Sequence, residues 1–218
     1  MNAWHMYRAM VGIGILCGLL IVVAFELTRP VIVRAQAAAL QRAVFQVLPE
    51  ASASQTFVFD EASFRRSTGD DAANAERVYA GYDDGGRLVG VAVEARGMGY
   101  QDVIRVLYGY SPAREALVGI RVLDSKETPG LGTKIETDPD FLASFRELDV
   151  SLTANQEEIV HPIELVKHGT RTQPWEIDAI TGATISSAAV ASLLERSTAY
   201  WIPRIRPQLD DFRRPEQP

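Results

Sequence analysis

Hydroxyl side chains cluster around a Gly-Ala pair near the C-terminal end of the chain. The stretch DAITGATISSAAV, residues 178–190, contains Thr181, Thr184, Ser186 and Ser187 directly before an alanine-rich run that predicts a helix. One helix cap needs one hydroxyl, so capping does not explain four. A Gly-Ala turn that opens a helix leaves free N–H groups at the positive end of the helix dipole, and such an end binds anions such as phosphate. The residues alone leave a phosphate site and a capped helix with spare polar groups both open, and the spacing fits neither a Walker loop nor a dinucleotide-binding fingerprint.

A glycine-rich loop further upstream is the second stretch whose residues could hold a ligand. It reads KETPGLGTK, residues 126–134. Gly130 and Gly132 allow the backbone to approach a ligand closely, and Leu131 between them could press on a flat apolar group. Hydrogen-bond donors and balancing positive charges would come from Thr128, Thr133, Lys126 and Lys134. The alternative is a simple turn between a strand and a helix, in which Glu127 would be solvated rather than catalytic.

The composition limits the possible classes of protein. The chain has 218 residues, 47% of them hydrophobic and 23% charged, which predicts one domain with accessory segments. A net charge of −6 argues against a nucleic-acid partner. The single cysteine, Cys17, cannot build a disulfide or a cluster, and the three histidines lack the spacing of metal ligands. No Ser/His/Asp arrangement and no pair of acids at a recognisable spacing supports a hydrolase.

An uncharged apolar run near the N-terminus predicts a membrane anchor. It extends from Ala9 to Phe25, and as a helix it would be about 26 Å long, close to the ~30 Å core of a bilayer. Trp4, Tyr7 and Arg8 suit the membrane interface. A cleaved signal peptide is the alternative, but the cleavage-like AQA at 35–37 lies too far beyond the apolar run.

The residues in and around this run say little about its orientation or its neighbours. One arginine precedes it and three follow it: Arg8, then Arg29, Arg34 and Arg42. By the positive-inside rule this count weakly favours a cytoplasmic C-terminal domain. Within the run, Gly14 and Gly18 are four residues apart, which predicts a face where a second helix can approach closely.

The rest of the chain predicts an α+β fold, with one transmembrane helix followed by a single domain that has an antiparallel sheet and flanking helices. We divide the chain into an N-terminus (1–8), a transmembrane helix (9–27), a helical stalk (31–49), the domain (50–202) and a polar, frayed tail (203–218). In the domain, residues 50–75 look irregular, and two β-rich runs around Asp83–Gly86 predict a hairpin.

Two helices are predicted in the second half of the domain. One runs from Pro139 to Leu148 with Asp138 as its N-cap. The other runs from about Ser186 to Tyr200 and stops before Pro203.

The two ligand-binding stretches together resemble the FMN-binding domain family. DAITGATIS is similar to that family's flavinylation motif, an Asp, two residues, Ser or Thr, Gly-Ala, then Ser or Thr. Each fixed position is met, by Asp178, Thr181, Gly182, Ala183 and Thr184. ETPGLGTKI resembles the flavin-contacting loop, and GMGYQDVIRVLYGY, 97–110, resembles the glycine-tyrosine start of a strand. Over roughly residues 8–200, the motif order, the single anchor and the length resemble the G subunits of Rnf ion-translocating complexes.

The resemblance implies that FMN is joined through its phosphate to the Thr184 hydroxyl. The phosphoester would be made from FAD by a separate flavin transferase, so Thr184 would be an acceptor and not a catalytic nucleophile. Thr181 and Ser186 would support the phosphate oxygens, and Asp178 would cap the turn or serve the transferase and its metal. Leu131, Gly130 and Gly132 would border the isoalloxazine ring. The full implied cofactor site comprises Asp178, Thr181, Gly182, Ala183, Thr184, Ser186, Glu127, Thr128, Gly130, Leu131, Gly132 and Lys134, with no metal.

The implied function is electron transfer within a membrane complex. The chain would be a single-pass inner-membrane subunit with no independent catalysis. Its N-terminus (1–8) would be cytoplasmic and its FMN domain periplasmic, against the weak charge count. Its partners would be the other membrane subunits, and the complex would couple electron flow between ferredoxin and NAD to Na⁺ or H⁺ movement. Three alternatives stay open: the C subunit of the Na⁺-translocating NADH:quinone oxidoreductase, whose chains tend to be longer; a non-redox anchored assembly or binding protein; and a stand-alone flavin reductase, which would need another electron source.

Overall fold

The computed structural model describes residues 3–60, 62–69, 71 and 75–213. The chain divides into two compact units, Met1–Gln41 and Arg42–Pro218. The first unit is part of a single helix, α1, Ala3–Val47, whose last residues belong to the second unit. Where the sequence predicts a membrane helix and a separate stalk, the structure has one continuous helix with Pro30 inside it. A proline removes one intrahelical hydrogen bond and need not end a helix.

The N-terminal helix has the properties of a membrane span. Its Tyr7–Val47 portion is long and apolar enough to cross a bilayer, and 0% of its most apolar stretch is buried within the protein. Large apolar side chains such as Ile15, Leu20 and Phe25 are exposed along it. An unburied apolar surface of this length needs a non-aqueous environment.

The second unit is built on a seven-stranded antiparallel sheet. In chain order its strands are β1 Ala53–Asp60, β2 Ser63–Arg66, β3 Arg77–Tyr82, β4 Leu88–Met98, β5 Val103–Ser111, β6 Ala116–Asp124 and β7 Leu148–Asp149. Across the sheet the order is β2-β1-β3-β4-β5-β6-β7. The remaining elements are the helices α2 Pro139–Ala143 and α3 Thr184–Ile205, the 3₁₀ segments Gly132–Glu136 and Arg206–Phe212, and a parallel pair, β8 Glu164–Val166 with β9 Glu176–Asp178. The α+β class predicted from the sequence is confirmed.

The hairpin predicted around Asp83–Gly86 is present between β3 and β4. The Asp83 carboxylate accepts hydrogen bonds from the backbone N–H groups of Gly85 and Arg87, both at 2.9 Å. Gly86 has φ +74°, a conformation that favours glycine. The local turn chemistry therefore sets the register of the two central strands.

A row of four glycines on one face of the sheet receives the C-terminal end of α1. They lie on four neighbouring strands and comprise Gly81, Gly90, Gly109 and Gly119. A Cβ atom at Gly109 would lie 2.2 Å from the Val47 carbonyl oxygen, and one at Gly81 would lie 2.8 Å from Leu48 Cδ1. Val47 and Leu48 are fully buried here. This glycine row lets the backbone of the helix end lie directly on the sheet.

Residues 50–75 and the C-terminal tail are more ordered than predicted. Two antiparallel strands, β1 and β2, lie within the segment expected to be irregular. The tail continues as a 3₁₀ segment whose Phe212 is buried against Phe57 and Phe64. The Tyr82 hydroxyl donates to the Phe212 carbonyl at 2.6 Å. The strands β1 and β2 and the ordered tail are short elements held by aromatic contacts between distant parts of the chain. The prediction missed them because local sequence patterns do not reveal such contacts. Residues 214–218 of the predicted tail lie outside the described residues.

The two helices of the second half also differ from the prediction in length. Asp138 is the N-cap of α2 as predicted, accepting from the Phe141 N–H at 3.0 Å, but α2 ends at Ala143. Leu148, expected at the end of that helix, lies in β7 and pairs with β6. Helix α3 begins at Thr184 and runs past Pro203 to Ile205. Its buried Trp201, Ile202 and Ile205 stabilise the last turn against the core.

Candidate functional site

The turn that contains the Gly-Ala pair is fixed from the inside of the domain. The Ala183 N–H donates to the Ile180 carbonyl at 3.0 Å and closes a β-turn, with Gly182 at φ +83°. The hydroxyl of Ser187, which is fully buried, accepts from the Ile180 N–H at 3.1 Å and donates to the Ala183 carbonyl at 2.8 Å. The core therefore fixes the turn independently of any ligand.

Helix α3 begins immediately after this turn, and its first turn is open. Ala183 is the N-cap residue and provides no side-chain hydrogen bond to the helix. Thr184 is the first helical residue, and its side chain is exposed, as is that of Thr181 in the turn. Backbone N–H groups without an intrahelical partner and an exposed hydroxyl therefore lie at the same helix end. This arrangement can hold a phosphate group.

Ser186, which was expected to support the phosphate, is directed elsewhere. Its hydroxyl is buried and makes a short hydrogen bond to Glu127 Oε2. Glu127 itself is 3% exposed, so it is not solvated as it would be in a simple turn. Its other oxygen, Oε1, accepts from the Gln101 N–H at 3.0 Å. The carboxylate therefore joins the 126–134 loop to the first turn of α3.

A third segment takes part in this contact. A Cβ atom at Gly99 would lie 2.5 Å from Glu127 Oε1, and one at Gly132 would lie 2.6 Å from Glu127 Oε2. The backbone of both glycines thus packs directly on the carboxylate. Sequence reasoning did not assign Gly99 or Gln101 to the site, because nothing local marks them. The only sign was the resemblance of the whole 97–110 stretch.

Apolar side chains surround the point where the three segments meet. Leu131 is 51% exposed, and its Cδ2 would lie 4.0 Å from a Cβ atom at Gly182, so the two stretches singled out in the sequence lie side by side. The residues next to Gly99 and Ser186 in the chain are also large, apolar and exposed: Met98, Tyr100 and Ile185. Exposed apolar side chains beside an open helix end suit a ligand with a flat ring and a phosphate.

The loop around Leu131 is folded by its own hydrogen bonds. The Gly130 N–H donates to Thr133 Oγ1 at 3.0 Å, and Gly130 has φ +75°. The Thr128 carbonyl accepts from the Leu131 N–H at 3.1 Å, and the Thr128 hydroxyl lies 3.4 Å from the Gln101 side-chain oxygen. Lys134 lies half-buried in the 3₁₀ segment Gly132–Glu136. The loop is thus a compact turn that holds Leu131 outward.

Asp178, the first residue of the motif, caps a neighbouring turn. Its Oδ1 accepts from the N–H groups of Gly169 at 2.9 Å and Arg171 at 3.3 Å. The side chain therefore organises the loop after β8, which runs parallel to β9. This contact is with the neighbouring loop and leaves Oδ1 bonded away from Thr184.

An exposed ion pair lies at the start of the loop. Lys126 Nζ is 2.9 Å from Asp102 Oδ2. The hydrogen bond from Lys126, followed by one from the Val103 N–H, holds the pKa of the Asp102 carboxyl below its usual value. The same carboxylate raises the pKa of the Lys126 amine. The pair ties the start of β5 to the residue before Glu127.

Flavin mononucleotide fits this set of residues. Its phosphate suits the open end of α3 with the Thr184 hydroxyl, and its flat ring suits the exposed Leu131 between two glycines. When bound, the flavin would supply one- or two-electron transfer. The protein residues would bind the phosphate, orient the ring and set its electrostatic surroundings.

Comparisons with known proteins agree with this fit. The chain matches the FMN-binding domain family over residues 99–198. The G subunit of the ion-translocating oxidoreductase complex of Methanosarcina acetivorans is 31% identical over 191 residues, which cover 88% of this chain and 90% of that protein. The G subunit of the Na⁺-translocating ferredoxin:NAD⁺ oxidoreductase complex of Acetobacterium woodii is 36% identical over 116 residues, 53% of this chain and 50% of that protein.

Solved structures share the fold. NqrC of Shewanella oneidensis superposes with a TM-score of 0.60 at 20% identity, covering 82% of this chain and 96% of that one. At this level of identity the likeness concerns the fold alone. The fold and the site define an FMN-binding domain that follows one apolar helix. The chain belongs to the family of G subunits of ion-translocating oxidoreductase complexes, which confirms the resemblance stated from the sequence.

Proposed function

We propose that this chain carries FMN covalently on Thr184 and transfers electrons within a membrane-bound ion-translocating complex. The observation that carries the proposal is the exposed Thr184 hydroxyl at the open end of α3, two residues after Gly182, which lies next to Leu131. The complexes to which the relatives belong support this role. The partners of this chain are then the other membrane subunits. The complex would couple electron flow between ferredoxin and NAD to the movement of Na⁺ or H⁺.

Attachment of the flavin is a phosphoryl-transfer step. The Thr184 oxygen forms a bond to the flavin-side phosphorus of FAD while the pyrophosphate P–O bond breaks. AMP leaves, and the hydroxyl proton passes to a base of the separate flavin transferase. No electrons are exchanged in this step. In this chain the open N–H groups of α3 would stabilise the charge of the resulting phosphodiester.

The flavin domain is proposed to lie on the periplasmic side of the inner membrane. The resemblance to the FMN-binding domain family supports that side, whereas the flanking arginines weakly favour the other. Protease added to intact spheroplasts distinguishes the two. Digestion of the second unit without lysis is the expected result, and protection until lysis would place the domain in the cytoplasm.

The acceptor is tested by fluorescence of the denatured protein on a gel. Wild type, Thr184→Ala and Thr184→Ser are each produced with a flavin transferase from the native host. We expect yellow-green fluorescence in wild type and in the serine variant, and none in the alanine variant. The alanine variant should keep its circular dichroism spectrum, because the lost hydroxyl is exposed.

Thr137→Ala is the matched control, because it removes an exposed hydroxyl that lies outside the proposed flavin site. It should keep covalent flavin. A fluorescent Thr184→Ala band, or a dark wild-type band with the native transferase, would contradict the proposed attachment.

A further inference from the structure

Glu127 is a buried carboxylate whose position is not explained by stability. It is 3% exposed, and acidic side chains are rarely buried to that degree unless they are paired with a cation. Among the described residues, no lysine, arginine or histidine forms an ion pair with it. Its neighbour Lys126 is instead paired with Asp102. Burying an unpaired charge costs free energy, so the burial of Glu127 points to a role other than stability.

Hydrogen bonds hold the Glu127 side chain at both of its oxygens. Each oxygen accepts one hydrogen bond, Oε1 from the Gln101 N–H and Oε2 from the Ser186 hydroxyl. Gly99 and Gly132 press on the two oxygens from either side, and neither position has room for a Cβ atom. The group is therefore held in one place by backbone and hydroxyl donors that solvate the negative charge without neutralising it.

This charge lies between the two parts of the proposed flavin site. Ser186 is in the same first turn of α3 as Thr184, two residues further along. Gly132 follows Leu131 directly in the loop. One carboxylate thus contacts the turn that would carry the phosphate and the loop that would border the ring.

We infer that Glu127 is a positioning residue for the flavin, which joins the 126–134 loop to α3 and whose negative charge lowers the reduction potential of the bound FMN. The inference rests on the proposed function. Reduction adds negative charge to the flavin, and a fixed anion inside the low-dielectric domain disfavours that change. The two hydrogen bonds hold the shape of the site, and the charge sets the potential.

The replacement Glu127→Gln separates these two roles. A glutamine has the same shape, its oxygen can accept from the Gln101 N–H, and its amide can donate to the Ser186 oxygen. It lacks the charge. We therefore expect covalent flavin to be retained and thermal stability to be unchanged or higher, because a buried unpaired charge is removed.

The decisive measurement is a redox titration of the covalently bound flavin in the full chain. In Glu127→Gln we expect the equilibrium to shift at least tenfold toward the reduced form, which is a midpoint about 30 mV higher for a two-electron couple. Asp124→Asn is the matched control, because it removes an exposed carboxylate three residues upstream and should shift the equilibrium much less. A Glu127→Gln midpoint equal to that of wild type would overturn the inference.

Other outcomes are equally informative. If Glu127→Gln folds but carries no flavin, or does not fold, the inference fails, since shape and hydrogen bonds were retained. Glu127→Ala removes the hydrogen bonds as well and should lose both stability and flavin attachment, and an alanine variant that matches wild type in both would exclude a positioning role. If wild type itself carries no covalent flavin, the proposed function fails first, and the gel shows this before any titration.

Discussion

Four hydroxyls surround the Gly-Ala pair, and the structure divides them into two kinds. Thr181 and Thr184 are exposed, while Ser186 and Ser187 are buried and bonded within the protein. The sequence identified the cluster but not this division, because it depends on which face of α3 packs on the sheet. The resemblance supplied the choice of Thr184, and the exposed position of its side chain suits that choice.

Leu131 offers a test of the ring contact at the scale of one side chain. Leu131→Ala removes exposed apolar surface beside Gly182 and should leave covalent attachment intact, because Thr184 is untouched. The reduction potential of the flavin should change, because the Leu131 side chain packs differently against the oxidised and the reduced ring and this contact is lost. A redox titration measures this. Val160→Ala, an exposed apolar residue elsewhere, is the control, and an unchanged Leu131→Ala midpoint would count against a ring contact.

At the scale of the elements, the glycine row predicts that alanine substitutions will destabilise the domain by different amounts at different positions. Gly109→Ala should destabilise the domain by about 3 kcal/mol or more, because its Cβ would meet the Val47 carbonyl of the helix backbone. Gly81→Ala should cost less, because its Cβ would meet the side-chain atoms Leu48 Cδ1 at 2.8 Å and Ala51 Cβ at 2.9 Å and no backbone carbonyl at 2.2 Å. Urea unfolding of the two variants gives the comparison. Equal destabilisation, or a larger effect at Gly81, would mean that the helix end does not rest on the sheet as described.

The ion pair between Lys126 and Asp102 gives a pH dependence. The pKa of Asp102 is lowered, so its stabilising contribution is present above the unfolded value of about 3.9 and is lost as the pH falls through the lower folded value. The pKa of Lys126 is raised, so its contribution is present below about 10.4 and is lost at higher pH. We therefore expect Asp102→Asn to have a lower urea unfolding midpoint than wild type at pH 7. Below about pH 4 the two midpoints should become similar. A difference that stays constant down to about pH 2 would exclude this pair as its origin.

The sequence predicted elements with strong local signals and missed those held by distant contacts. The hairpin at Asp83 and the N-cap at Asp138 have turn and cap residues that act within a few positions, and both are present. Strands β1 and β2 and the segment ending at Phe212 are stabilised by one another although they lie far apart in the chain, so no local pattern marks them. The buried state of Glu127 was missed for the same reason.

At the scale of the whole molecule, the boundary of the folded unit is earlier than residue 50. Val44, Val47 and Leu48 are buried in the second unit, which begins at Arg42. A fragment of residues 42–218 should therefore fold and accept flavin. A fragment of residues 50–218 loses four buried side chains between residues 43 and 48 and should unfold, because each of the three larger ones contributes about 2–5 kcal/mol. Thermal unfolding by circular dichroism checks both. If the shorter fragment unfolds cooperatively at the same temperature as the longer one, the domain begins at residue 50, as predicted from the sequence.

Ser187 has a consequence for the order of maturation. Its hydroxyl shapes the acceptor turn and is fully buried, in a helix that packs against β4 and β8 from earlier parts of the chain. The turn therefore exists only after the domain has folded, and a transferase that reads its shape would pass over unfolded or misfolded chains. Under the proposed assignment, the amount of covalently bound flavin in a preparation therefore measures the fraction of correctly folded molecules. Only folded chains would then carry flavin when they assemble into the complex.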